Sequence, residues 1–260
     1  MTESPESPES PVTPALLAIS HGTASATGAG AVATLVDAVA ARLDHAPVHA
    51  GFVDVQQPDV PTCLAGLRDD PAVRSTVVVP LLLSAGYHVH VDLREDVDAA
   101  AAAGDHVTLG GALGPDDRLV DLLVRRLDEA GLTGDDTVVL AAAGSSDARA
   151  VADCETTAGH LADRLGRPVR VGYIANATPR VHEVVDAVRA GSPGRRVVVA
   201  SYLLAPGFFA DLAARAGGDV TTAPLLVADE EAPAELVDVV VDRWAAAAPV
   251  RAGGAPRPTA

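Results

Sequence analysis

Alternating strand and helix signals that run twice through the chain predict an α/β protein of two tandem repeated lobes. Each lobe is expected to be a parallel sheet flanked by helices, with a cleft between the lobes. Three observations carry this expectation. The runs 15–20, 48–55 and 75–83 are near-continuous, β-branched and apolar, as parallel strands buried on both faces usually are. Ala-rich segments with helical spacing lie between these runs. Three stretches also recur later in the chain: LLAISHGT as VVLAAAGSS, VHAGFVDVQQP as VRVGYIANATP, and VVPLLLSAGYH as VASYLLAPGFF, all at offsets of 121 or 122 residues. A constant spacing across three matches indicates a tandem duplication.

In chain order, the first strand (15–20) leads to a helix over 31–43, where Val32, Leu35, Val36, Val39 and Leu43 form one apolar stripe. Strands 48–55 and 75–83 follow, and Leu119, Leu122, Leu123 and Leu127 mark a second amphipathic helix over 116–130. The polar, Gly-containing stretch 131–136 is the expected boundary, giving an N-terminal lobe over 15–131 and a C-terminal lobe over 132–247. The second lobe repeats the order: strand 137–142, a helix to Leu165, strand 169–174, a helix through Ala190, strand 195–204 and a last helix through Trp244. Residues 1–14, with Glu-Ser-Pro three times, and the Gly/Pro/Ala-rich 248–260 are expected to be disordered tails.

The composition narrows the function classes. With 260 residues, 48% of them hydrophobic, the chain can bury a substantial core. No run approaches the roughly 20 apolar residues of a membrane span, and with an acidic, Pro-rich start that lacks a cationic n-region and an apolar h-region, no secretory signal is expected. The two cysteines, Cys63 and Cys154, stand far apart outside any CxxC pattern, so neither a disulfide framework nor a thiolate zinc site is indicated and a cytoplasmic location is expected. The formal net charge is −16, and all 19 basic residues are Arg. Phosphate repulsion then argues against nucleic acid as a partner.

Ligands in open α/β sheets sit beyond the C-terminal ends of the strands. His21 follows the first strand, Asp54 closes the second, and His88 follows the third after the turn Ser84-Ala85-Gly86-Tyr87. Two imidazoles and one carboxylate suit Fe²⁺, Co²⁺ or Ni²⁺, with coordination positions left open. The duplication is an internal control: its equivalents are Ala143, Ala175 and Phe209, which places the chemistry in the first lobe alone. His90 is expected to point elsewhere, and His45, His49, His106, His160 and His182, which lack a partner pattern, to be structural or solvated. Gly28-Ala29-Gly30-Ala31-Val32-Ala33 matches the dinucleotide fingerprint GxGxxA, which makes an oxidoreductase an alternative. Against it, residues 20–27 intervene after the strand, so these glycines are expected to begin the helix itself. A non-enzymatic metal-binding or delivery protein using the same His pair is a further alternative.

His21-Gly22-Thr23, Phe52-Val53-Asp54 with Pro58, and Ser84-Ala85-Gly86-Tyr87-His88-Val89 with Asp92 together resemble the signature of the sirohydrochlorin chelatases. These are class II chelatases that need no ATP, and the likeness, over about 15–246, is to their long two-repeat form. The resemblance implies insertion of a divalent metal into a sirohydrochlorin-type tetrapyrrole, in sirohaem or cobalamin biosynthesis, with the metal as substrate and no tightly bound cofactor. His21 and His88 would be the paired histidines that bind the incoming metal and help remove pyrrole protons. Asp54 stands where relatives often carry Glu. Its arm is one methylene shorter, so direct coordination, a water-bridged contact and proton acceptance all stay open. A more carboxylated ring than protoporphyrin is implied, and arginines, Arg94 first among them, are candidates to offset the protein's negative charge. The second lobe is expected to act as wall and lid, with Phe208 and Phe209 either in its core or against the macrocycle. Covalent duplication makes a monomer sufficient.

Overall fold

The computed structural model of the chain describes residues 13–84 and 87–249, with the backbone alone for 87–91. Its first half runs β1 (Ala15–Ser20), α1 (Ala26–Arg42), β2 (Val48–Phe52), α2 (Val60–Asp69), β3 (Thr76–Pro80), α3 (Tyr87–Ala102), β4 (Val107–Leu109) and α4 (Asp117–Glu129). The second runs β5 (Thr137–Ala142), α5 (Ala148–Leu165), β6 (Val169–Tyr173), α6 (Val181–Gly191), β7 (Val197–Tyr202), α7 (Phe208–Ala214), β8 (Val220–Thr221) and α8 (Ala234–Ala247). Two four-stranded sheets result, ordered β2-β1-β3-β4 and β6-β5-β7-β8, with every pair parallel. The same strand order in both halves is the predicted duplication in three dimensions. No helix among the described residues is long and apolar enough to cross a membrane.

The near-continuous apolar strands divide their side chains between two faces, because successive residues of a strand point to opposite sides. Leu16 and Ala18 of β1 and Val77 and Val79 of β3 face a central core, whereas Ala15, Leu17, Ile19 and Val78 face an outer layer with Val60, Leu64 and Leu67 of α2 and Leu93 and Val97 of α3. The second sheet does the same: Val138, Leu140, Val198, Ala200 and Tyr202 face the centre, and Val139, Ala141, Val197 and Val199 meet α6 and α7. Each of these fully buried Leu or Val side chains contributes about 1.5–3 kcal/mol. The helices start at side-chain caps: Ser25 accepts from the Gly28 N–H, Asp59 from Thr62, Asp116 from Arg118 and Asp147 from Arg149.

The last helix of each half crosses to the other half. α4 packs on α5 and β7, and α8 packs on α1 and β3. Each crossing helix carries an arginine that satisfies loop carbonyls of the opposite half. Arg126 of α4 is buried and donates to the Pro224 and Leu225 carbonyls (3.2 and 2.9 Å), while Arg243 of α8 donates to those of Ala112 and Leu113 (2.7 and 2.8 Å). The ion pairs Arg42–Asp238, Arg118–Asp242 and Arg125–Glu235 lie near the surface, where solvent screening leaves them little weight. The shared core, from Leu16 to Trp244, holds the two sheets together.

Candidate functional site

The C-terminal edge of the first sheet is built by backbone contacts between the loops that follow β1 and β2. The Val53 N–H donates to the Ser20 carbonyl (2.9 Å) and the Asp54 N–H to the His21 carbonyl (3.1 Å), so the two sequence-predicted residues sit side by side. Gly22 adopts a φ of +90°, and a Cβ there would lie 2.2 Å from the Asp54 carbonyl oxygen. Only glycine allows this approach. The Thr23 N–H then donates to Oε1 of Gln56 (2.9 Å), a third tie between the loops.

His21 and Asp54 are both exposed. Oδ1 of Asp54 accepts from the Val55 N–H (2.7 Å), and Oδ2 has no hydrogen-bond partner among the described residues. Its carboxylate therefore keeps acceptor capacity for a cation or a proton. His88 lies in the first turn of α3, immediately beyond β3, so all three predicted residues follow neighbouring strands of one sheet. The side chains of His88 and His90 lie outside the described residues. Among the described residues, no group of three His, Cys, Asp or Glu side chains is arranged to hold a metal. Arg94 is exposed on α3.

The second lobe reproduces this edge with Ala143 and Ala175 in place of His21 and Asp54. The Ile174 N–H donates to the Ala142 carbonyl and the Ala175 N–H to that of Ala143, both at 2.9 Å. Gly144 has a φ of +89°, and a Cβ there would lie 1.9 Å from the Ala175 carbonyl oxygen. One difference separates the two edges. The residue after Asp54 is Val55 at φ +64°, whereas its counterpart is Asn176 at φ +52°. Asn tolerates the left-handed region, but a β-branched residue there is strained by about 1–3 kcal/mol, and such strain gathers at functional sites.

The two lobes meet beside this edge through paired loops. The Pro206 carbonyl approaches Gly28 so closely that a Cβ on Gly28 would lie 2.2 Å from it, and a Cβ on Gly207 would lie 3.4 Å from Oγ1 of Thr23. Gly28 is inside α1, which starts at Ala26, so the GxGxxA segment does not form a strand-to-helix phosphate turn. Its first glycine instead makes room for the second lobe. In a second contact between the halves, the buried Tyr202 hydroxyl donates to the Leu83 carbonyl (3.0 Å), in the segment that leads from β3 to α3 and His88. Beside it lies Cys154, whose thiol is pushed up to about 11 by burial. Two depressions, of about 520 and about 310 Å³, lie on the second lobe around Arg170 and contain neither His21 nor Asp54.

The remaining histidines behave as expected where they are described. His160 pairs with Asp117 across α5 and α4 (3.0 Å), and His45 sits near Asp44 (3.3 Å) and edge-on to Trp244. His49, His106 and His182 are exposed.

Comparison with known proteins agrees with this layout. A family model described as CbiX matches residues 15–130 and 137–229. The sirohydrochlorin ferrochelatase of Priestia megaterium is 27% identical over 198 residues, 74% of each chain. The sirohydrochlorin cobaltochelatase of Methanosarcina acetivorans is 27% identical over 124 residues, which are 95% of that protein but 44% of this chain. Among solved structures, SirB from Bacillus subtilis with Fe³⁺ has a TM-score of 0.72 at 20% identity, over 88% of this chain and 93% of that one. A CbiX described as the terminal enzyme of sirohaem biosynthesis in denitrifying bacteria has a TM-score of 0.61 at 20% identity, over 88% and 98%. At these identities the solved structures speak to the fold.

Proposed function

Because the chain belongs to the CbiX family, matched over both of its halves, we propose that it inserts a divalent metal, Fe²⁺ or Co²⁺, into sirohydrochlorin. The observation that carries this reading is the edge of the first sheet, where His21 and Asp54 are held backbone to backbone while Ala143 and Ala175 occupy the same geometry in the second. Relatives named as ferrochelatase and cobaltochelatase of sirohydrochlorin support both the ring and the choice of metals. The duplication supports reading 15–131 and 132–247 as the two copies of one ancestral unit, and one chain as a sufficient catalyst.

Insertion must strip water from the ion, bend the macrocycle and remove two protons from pyrrole nitrogens. In this reading His21 and His88 receive the ion, and imidazole suits the task because it both ligates first-row metals and accepts protons near neutrality. The ring nitrogens then replace the protein and water ligands. Asp54, whose Oδ2 has no hydrogen-bond partner among the described residues and which lies beside the His21 backbone, takes a pyrrole proton directly or through a water. The metal arrives as substrate and leaves held in the product ring.

An anaerobic spectrophotometric assay with sirohydrochlorin and Fe²⁺, Co²⁺ or Ni²⁺ tests this. Insertion well above the uncatalysed rate, lost in the His21→Ala, His88→Ala double variant, is expected. Stoichiometric metal binding without turnover would instead assign the chain to metal delivery.

A further inference from the structure

The large hydrophobic side chains exposed among the described residues are Val55 (56%), Phe208 (68%) and Phe209 (39%). Val55 is far in sequence from the adjacent pair Phe208 and Phe209, yet all three stand beyond the C-terminal ends of strands, Val55 after β2 and the two rings after β7. Val55 follows Asp54 directly. Phe208 follows Gly207, which lies against Thr23 and Ser25 in the loop that begins at His21. Core packing for Phe208 and Phe209, one of the sequence-based expectations, is thus not what the fold gives them.

The presentation of these rings is built into the backbone. Gly207 has a φ of +149°, and the carbonyl before it is seated against Gly28, where no Cβ would fit. That anchors the start of α7 on the first lobe. The rings of Phe208 and Phe209 lie 6.1 Å apart, tilted by 36°, a spacing at which both can meet one flat aromatic partner. Val55 is held exposed in a backbone conformation that disfavours it, where the second lobe has Asn176. Isolated exposed apolar residues are ordinary, but here both places border the one loop that begins at His21: a Cβ on Gly22 would lie 3.3 Å from that of Val55, and Gly207 lies against Thr23 and Ser25, so the three residues mark a binding surface around that loop.

We propose that Phe208, Phe209 and Val55 form an apolar seat for the face of the tetrapyrrole, the second lobe supplying the two rings and the first lobe the metal ligands. This rests on the chelatase reading given above. The occupant follows from continuity with the His21–Asp54 edge: a flat ring delivered there lies alongside these side chains. An apolar seat also attracts the ring irrespective of charge, which matters for a protein of net charge −16 receiving a carboxylated ring.

The test is anaerobic titration of metal-free sirohydrochlorin into wild type and the Phe208→Ala, Phe209→Ala double variant, with Co²⁺ titrated into each separately. The ring is expected to bind roughly tenfold more weakly to the variant, from loss of aromatic contact and buried area, while Co²⁺ affinity and thermal stability stay unchanged. Phe208→Leu with Phe209→Leu should fall between the two, because it keeps apolar area and loses the flat faces. Equal ring affinity in wild type and the Ala variant would overturn the seat and leave the chelatase reading standing. No ring binding by wild type would overturn both. A wild-type dimer that the Ala variant dissociates, with ring affinity unchanged, would make the patch a self-association surface and also overturn the proposal.

Discussion

Replacing Gly22 by Ala, with Gly144→Ala as its mirror control, separates the chemistry of the first lobe from the architecture that both lobes share. The two glycines have nearly the same φ, +90° and +89°, and a Cβ would lie 2.2 Å from the Asp54 carbonyl oxygen in one case and 1.9 Å from that of Ala175 in the other. A left-handed L-residue costs about 1–2 kcal/mol. Relieving the clash must push the two loops apart, lengthening the Val53–Ser20 and Asp54–His21 hydrogen bonds in the first lobe and the Ile174–Ala142 and Ala175–Ala143 bonds in the second. Each is worth about 1 kcal/mol, so each variant should lose about 3 kcal/mol in all. For a chain of this size that corresponds to a melting temperature lower by about 6–12 °C. Calorimetric melts should therefore show similar losses for both variants. Titration with Co²⁺ should not: Gly22→Ala is expected to bind about tenfold or more weakly, and Gly144→Ala as wild type does. Wild-type Co²⁺ affinity in Gly22→Ala, or equal weakening in both variants, would refute the placement of the metal at this edge.

Two further substitutions probe the frame around the site. Tyr202→Phe removes the hydroxyl that donates to the Leu83 carbonyl at 3.0 Å, so stability measured by urea unfolding should fall by about 1 kcal/mol; an unchanged midpoint would show that the bond contributes nothing. The Arg196 guanidinium beside Asp136 holds its carboxyl well below the ordinary value of 3.8. A depressed folded-state value means that this contribution to stability is fully present above 3.8 and is lost as the pH falls through the lower folded value. Asp136→Asn should thus be less stable at pH 7 and show a shallower acid decline, whereas parallel stability–pH curves for the two proteins would contradict the pairing.

The central strands β1, β3, β5 and β7 were legible because each is a run of apolar residues that the fold buries on both faces, and β1 and β5 end where the sequence placed them, whereas the edge strand β2 and the central β3 and β7 stop short of the apolar runs 48–55, 75–83 and 195–204. β4 and β8, of three and two residues, are too short to show a period. The exchange of α4 and α8 was not legible either. An amphipathic stripe such as Leu119, Leu122, Leu123 and Leu127 says that a face is buried and not which sheet covers it.

At the site, the repeat adds what periodicity alone does not: it sets His21 and Asp54 against Ala143 and Ala175, which makes the first half the candidate, and the fold puts each pair in the same backbone arrangement. The same comparison sets Val55 against Asn176, but the left-handed backbone at that position belongs to the loop and is not legible in the residue types. Phe208 and Phe209 were misleading for a related reason: aromatic residues after a buried strand usually continue the core, but here the strand ends at Tyr202 and the rings open a new helix. Gly28 fits a dinucleotide fingerprint by sequence, whereas in the fold its missing Cβ leaves room for the Pro206 carbonyl.

The central claim is that one imidazole edge in the first lobe drives metal insertion, and the initial rate of Co²⁺ insertion into sirohydrochlorin by His21→Ala beside wild type tests it most directly. A loss on the order of a hundredfold or more is expected, the scale of removing a group that handles a proton or an ion in the reaction, with the fold intact by circular dichroism because His21 is exposed. Insertion by His21→Ala at the wild-type rate would contradict the claim and move the chemistry elsewhere in the molecule.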